Sequence, residues 1–179
     1  MARLGWAFIG AVLWLGCSKD APLEQRTILH PNKSIWKKWT IQRTPQGDTL
    51  IHGAYKEFYW NGSPAQSTEY KYGIRQGTSQ AWYDNGNSKW TKVYRENKRE
   101  GIWRLYSSNG LPLMEVNFKD GLLHGPFRVW DKIDTSVVVE AEYLNGQCFK
   151  GACGAMDSVQ AVREESDNRH ASLAKEFLE

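Results

Sequence analysis

Apolar and polar residues alternate with a period of two along most of the chain between residues 50 and 151. Tyr55, Trp103 and Phe127, with Leu105 and Val129 as companions, fall on one side of their runs, and Phe58, Trp82, Tyr106 and Trp130 on the other. In the runs that follow, Trp90, Lys92 and Tyr94 share a face, as do Met114, Val116 and Phe118. Side chains two residues apart stand on the same side of a strand, so the alternation predicts half-buried β-strands. The interruptions are as regular as the strands. Gly53, Gly77, Gly101 and Gly125 recur every 24 residues, and five positions after each comes Phe58, Trp82, Tyr106 or Trp130. Asn61-Gly62, Asn85-Gly86 and Asn109-Gly110 recur between the runs and predict type I′ hairpin turns, because both residues tolerate positive φ. Tyr70, Tyr94 and Phe118 follow, each succeeded three residues later by Gly73, Asn97 or Gly121. A fourth unit has Ile133-Asp134 in place of Asn-Gly and resumes with Tyr143 and Gly146.

Each unit therefore reads as a strand, an Asn-Gly turn, a second strand and a glycine-marked turn into the next unit. The fold class expected is all-β, an antiparallel meander. No single hairpin buries both of its faces, so each unit depends on stacking against its neighbours. The spacing aromatic-x-x-Gly-x-x-x-Gly occurs at Tyr70–Gly73–Gly77 and Phe118–Gly121–Gly125, with Asn97 replacing the first glycine at Tyr94–Asn97–Gly101. This pattern resembles the MORN repeat, in the bacterial variant of the YwqK-like antitoxins, over residues 50 to 151. The resemblance implies an elongated, twisted, single-layer sheet of stacked hairpins that binds or scaffolds rather than catalyses. The antitoxin label implies an inhibited partner protein.

The flanks differ from the repeats. Residues 35–51 read as one further, irregular hairpin, with Trp36, Trp39 and Ile41 on its first arm and Pro45-Gln46-Gly47-Asp48 as its turn, placed to cap the first edge of the sheet. Residues 18–34 lack periodicity and read as a tether. Residues 1–16 carry Arg3 and then an apolar stretch shorter than a membrane-spanning helix requires, which predicts a secretory signal peptide. Leu15-Gly16-Cys17 resembles the lipobox of bacterial lipoproteins, although Trp14 stands where Leu is usual. That resemblance implies lipidation of Cys17 and a membrane anchor in a bacterial envelope, with Ser18 favouring the outer membrane of a Gram-negative cell. From residue 154 the composition changes. Asp157 and Gln160 read as a capping box, and Met156, Val159, Val162, Leu173 and Phe177 as a stripe, so residues 154–179 read as a helical or loosely ordered tail.

Composition and chemistry narrow the function classes. Nine Trp, eight Tyr and sixteen Gly agree with short strands and tight turns. Lys+Arg 23 against Asp+Glu 20 gives a net charge of +3 dispersed along the chain, which argues against a nucleic-acid-binding protein. Cys148 and Cys153 suit a disulfide in an exported protein, with free thiols as the alternative. Neither they nor the four histidines have the spacing of a metal site, and His52 and His124 read as turn residues. No nucleophile elbow, HExxH or phosphate loop is present, so neither catalysis nor a cofactor is expected. Two sets of positions suit binding. Lys71, Arg95 and Lys119 form one basic column and Lys56, Arg104 and Arg128 a second, either of which would meet phosphate headgroups or an acidic partner. The aromatic columns, exposed on one face, would stack on sugar rings or dock a protein. A protein-interaction scaffold is the first expectation, and a glycan-binding module the second.

Overall fold

The computed structural model describes residues 22–131 and 133–154. The expected signal peptide, the lipidation site Cys17 and nearly all of the expected tail lie outside these residues. The described chain is all-β. Its thirteen strands are β1 (Leu23–Leu29), β2 (Ile35–Arg43), β3 (Thr49–Ile51), β4 (Gly53–Phe58), β5 (Pro64–Lys71), β6 (Ile74–Trp82), β7 (Ser88–Arg95), β8 (Lys98–Arg99), β9 (Gly101–Tyr106), β10 (Pro112–Lys119), β11 (Leu122–Trp130), β12 (Val137–Leu144) and β13 (Gln147–Gly151). They form one open antiparallel sheet in the order β1-β2-β4-β5-β6-β7-β9-β10-β11-β12-β13, with β3 paired to β2 and β8 to β7. Sequential order means that every connection is a hairpin or a local break.

The segment read as a tether contains a strand. β1 pairs with β2 along seven positions, from Leu23↔Gln42 to Leu29↔Ile35, and it takes the edge assigned to the following hairpin. Its polar content reflects edge placement rather than disorder: Glu24 bridges Arg26 at 2.8 Å and Arg43 at 2.9 Å, and charges of this kind discourage pairing with another chain.

The turn chemistry is the reverse of the expectation. At Asn61, Asn85 and Asn109 φ is not positive; only Gly62, Gly86 and Gly110 are left-handed there. Each of these loops is a type I turn closed by a glycine bulge, as in Gly62 N→Tyr59 O at 2.9 Å with Tyr59 N→Ser63 O at 2.9 Å. The asparagine works through its side chain instead, Asn61 Oδ1 accepting from Ser63 N at 2.9 Å and Asn85 Oδ1 from Asn87 N at 3.0 Å. Type I′ geometry occurs at the opposite end of the sheet, at Tyr72-Gly73, Glu96-Asn97, Asp120-Gly121 and Asn145-Gly146. Asn97 stands in for glycine because its φ is 64° and its Oδ1 accepts from Arg75 N at 2.8 Å.

The glycines that mark the 24-residue register are not turn residues either. Gln76–Thr78 oppose Glu69 alone, and His124–Pro126 oppose Asn117 alone, so Gly77 and Gly125 sit in bulges within a strand pair. Their φ values of 79° and 97° explain why glycine recurs there. His124 consequently belongs to such a bulge, and His52 falls in the break between β3 and β4, where its N–H donates to Thr40 O at 2.9 Å. They take a repeated role: His52 packs edge-on against Tyr72 at 4.7 Å and His124 Nδ1 meets Asn145 Oδ1 at 3.3 Å, each touching the first residue of the next type I′ turn. Gln76 and Glu100 do the same by accepting from Glu96 N and Asp120 N, both at 3.0 Å.

The core occupies one face of the sheet. Trp90, Tyr94, Trp103, Leu105, Met114, Val116, Phe118, Phe127, Ala141 and Tyr143 are buried there, Trp103, Val116 and Phe127 completely. Among the described residues no second layer covers this face, so its large side chains shield one another. Tyr94, Trp103 and Phe118 run in series with ring centroids 5.2 and 4.8 Å apart. Such pairs contribute about 0.5–1.5 kcal/mol each beyond the area they bury. Cations complete the cover, Arg75 lying over Tyr94 at 4.2 Å and Arg99 over Phe118 at 4.6 Å. At the far edge Cys148 and Cys153 form a disulfide that closes a short loop after β13.

Candidate functional site

The two faces of the sheet place the candidate residues differently. On the charged face, backbone register aligns Lys38, Lys56, Ser67, Gln80, Thr91, Arg104, Glu115, Arg128 and Glu140 in one row across the strands. Lys56, Arg104 and Arg128 do lie in line, but they do not make a basic stripe. Arg104 Nε meets Glu115 at 2.8 Å, Arg128 Nη1 meets Glu115 at 3.5 Å, and Arg128 Nε meets Glu140 at 2.9 Å. The Glu140 hydrogen bond foremost, with the neighbouring carboxylates, holds the Arg128 guanidinium above its ordinary pKa. Opposite charges directly across strands stabilise the sheet and cancel the field that an acidic partner would need. Lys38 and Lys56, facing each other in register beside Ser67, are the basic remnant of this row.

Lys71, Arg95 and Lys119 form the other column, each the last residue before a type I′ turn and each exposed. Arg95 pairs with Glu100 at 3.3 Å. Phe58, Trp82, Tyr106 and Trp130 are half-buried near the opposite ends of the strands, where Tyr59 and Tyr83 hydroxyls donate to the Trp82 and Tyr106 carbonyls, both at 2.7 Å. These hydroxyl bonds tie the turns after β4 and β6 to the main chain of the next unit.

The apolar face carries a concavity that combines aromatic and polar groups. A cavity of about 210 Å³ lies between β5, β6 and β7, lined by Gln66, Thr68, Tyr70, Arg75, Ser79, Trp90, Lys92 and Tyr94. It exists because the repeat changes character at this point. Positions 55, 79, 103 and 127 form one 24-residue column, reading Tyr, Ser, Trp, Phe; positions 68, 92 and 116 form another, reading Thr, Lys, Val. Where the later units fill the middle of the face with Trp103, Val116 and Phe127, the earlier ones place two hydroxyls and an ammonium. Thr68 Oγ1 and Ser79 Oγ are 2.6 Å apart and both residues are buried. Lys92, 5% exposed, holds its Nζ 4.7 Å from the Trp90 ring and 4.9 Å from the Trp103 ring.

The electrostatics of this cavity are positive. Arg75 and Lys92 line it and no carboxylate does. Burial pushes the Tyr94 phenol above its ordinary pKa despite the adjacent Arg75 guanidinium, so the hydroxyl stays protonated. Trp90 Nε1 is buried without a hydrogen-bond partner. An unmet donor of this kind costs about 1–3 kcal/mol. Trp90, Lys92, Tyr94 and Tyr70 are legible in the sequence as strand residues, but Arg75, Ser79, Thr68 and Gln66 are not evident as site residues. The signal that reveals them is a break in an otherwise apolar column. Among the described residues no group of three or more His, Cys, Asp or Glu side chains is arranged to hold a metal ion, and no helix is long and apolar enough to cross a membrane. No protein-family model matches this chain, and no curated protein matches it.

Proposed function

We propose that this protein is a non-enzymatic binding module of the bacterial envelope, exported, anchored to a membrane by acyl chains on Cys17, and built around a MORN-like, elongated single-layer repeat sheet that acts as a platform for a protein partner. The observation that supports the reading most is an open sheet with no second layer on either face among the described residues. Both faces are then accessible surface, and a stack of hairpins extends that surface one unit at a time. Large apolar side chains stand exposed at turns and edges, with Trp60 at 70% and Phe149 at 64%, and such groups are typical anchors in interfaces.

A second reading, recognition of a glycan, is favoured by the cavity between β5 and β7, whose lining combines aromatic side chains, hydroxyls and an amide. Cys17→Ser, followed by membrane fractionation and crosslinking in intact cells, tests the first. The expected results are membrane localisation of the parent protein, its loss in the variant, and a discrete crosslinked partner. A parent protein that is unprocessed and soluble contradicts the anchor, and clean crosslinking with no partner contradicts the platform.

A further inference from the structure

We infer that the cavity between β5, β6 and β7 is a binding site for one ring of an acidic saccharide, a sugar that carries a carboxylate. The site presupposes the binding role proposed above and gives it a ligand class.

Its polar residues are not demanded by the fold. The same backbone two units later is packed by Val116 and Phe127, which face each other in register as Thr68 and Ser79 do. Apolar residues would therefore fit the scaffold, and buried hydroxyls or a buried ammonium are the less stable choice unless they serve another purpose. The wall provides each element that a carboxylated sugar presents. Tyr70, half-buried in the wall, offers its ring to the apolar C–H surface of a pyranose, while Lys92 and Arg75 lie over the Trp90 and Tyr94 rings beside it. Thr68 and Ser79 offer hydroxyls that both donate and accept, and Gln66 an amide that does the same.

Arg75 offers the counterion. Arg26, Arg43, Arg95, Arg104 and Arg128 each meet a carboxylate of this chain, whereas the Arg75 guanidinium forms no ion pair among the described residues and lies over Tyr94 at 4.2 Å. A guanidinium without a carboxylate partner in its own chain is available to one from a ligand, which it binds through two parallel N–H···O bonds. Size limits the ligand. The volume of about 210 Å³ is below the roughly 300–1,000 Å³ typical of drug-sized ligands, so one ring enters and any further residues of a chain lie outside.

The test uses the full-length protein in detergent, titrated with D-glucuronate, D-glucose and inorganic phosphate while tryptophan fluorescence and binding heat are recorded. Saturable binding of glucuronate is expected, with glucose and phosphate weaker by about tenfold or more. Arg75→Gln should weaken glucuronate by about tenfold, while Arg99→Gln, which alters the equivalent cation over Phe118 outside the cavity, should leave it unchanged. Ser79→Trp installs the residue that position 103 carries and should abolish binding by filling the cavity. Should that variant fail to fold, Arg75→Gln with unaltered circular dichroism decides the matter.

No saturable response to glucuronate, equal affinity for glucose, equal competition by phosphate, or unchanged affinity in Arg75→Gln would each overturn the assignment. Loss of the sugar site with membrane localisation and partner crosslinks intact overturns only the ligand, whereas loss of those two overturns the function proposed above.

Discussion

The hydroxyl oxygens of Thr68 and Ser79 lie 2.6 Å apart across β5 and β6, in the positions that Val116 and Phe127 occupy two repeats later. A buried polar pair thus replaces a buried apolar pair on one repeated backbone. The replacement shortens the apolar core at its N-terminal end and leaves a cavity walled by aromatic rings and two cations.

This pair is expected to behave as a coupled unit. Thr68→Val leaves the buried Ser79 hydroxyl with only the 3.4 Å contact to the Ser67 carbonyl and should cost about 1–2 kcal/mol. The double variant Thr68→Val with Ser79→Ala should lose less than the sum of the two single changes, a difference of about 0.5–1 kcal/mol in urea denaturation. Strict additivity would show that the two hydroxyls are energetically independent.

The bulge glycines carry backbone geometry rather than chemistry. Gly125 has φ +97°, and an added Cβ would lie 3.5 Å from the Asn117 side chain. Gly125→Ala should therefore lower stability by about 1–3 kcal/mol through the backbone alone. Gly154, which has no positive φ and open space around it, should tolerate alanine with no measurable shift in melting temperature. Equal effects at the two sites would refute the bulge argument.

The disulfide secures an edge. Cys148 and Cys153 are five residues apart, and closing so short a loop stabilises by roughly 2 kcal/mol in the chain-entropy account. Replacing both by serine should raise hydrogen exchange in β13 and at its partner residues in β12 while leaving β9 and β10 protected. Uniform loss of protection would mean that the sheet unfolds as one unit from that edge.

Acid should weaken the N-terminal part of the sheet through Glu57. Burial alone would push this carboxyl up, but hydrogen bonds from the Tyr55 hydroxyl at 2.6 Å and from Lys37 at 2.9 Å outweigh it and hold the group below its ordinary range. A folded-state pKa below the unfolded one means stability that is present above the unfolded value and lost as pH falls through the folded value. The melting temperature should fall as pH drops below about 4.5. The fall should be shallower in Lys37→Met, in which less of the carboxyl's depression remains to be lost. Parallel pH profiles for the two proteins would exclude Glu57 and Lys37 as a source of acid sensitivity.

The sequence by itself determined the strand class, the approximate strand positions in the repeats and the 24-residue register. Alternation and recurrence are local properties of the chain, and Trp103, Val116 and Phe127 announce strands through spacing alone. Phe58, Trp82, Tyr106 and Trp130 recur on the other side as regularly, so spacing does not say which side is buried. Tertiary structure decided what each recurring residue does. Asn61-Gly62 and Asp120-Gly121 look alike as turn signals, yet only the second adopts type I′ geometry, because the number of loop residues between paired positions sets the turn type.

Arg104 and Arg128 recur as a basic column, but Glu115 and Glu140 come opposite them only when the strands pair, since cross-strand neighbours are distant in sequence. β1 lacks a periodic signal because an edge strand buries little, and its pairing with β2 alone reveals it. The cavity is likewise a property of the assembled sheet. Ser79 and Thr68 are ordinary polar residues along the chain, and they become a site only where three strands bring them among Tyr70, Trp90 and Arg75.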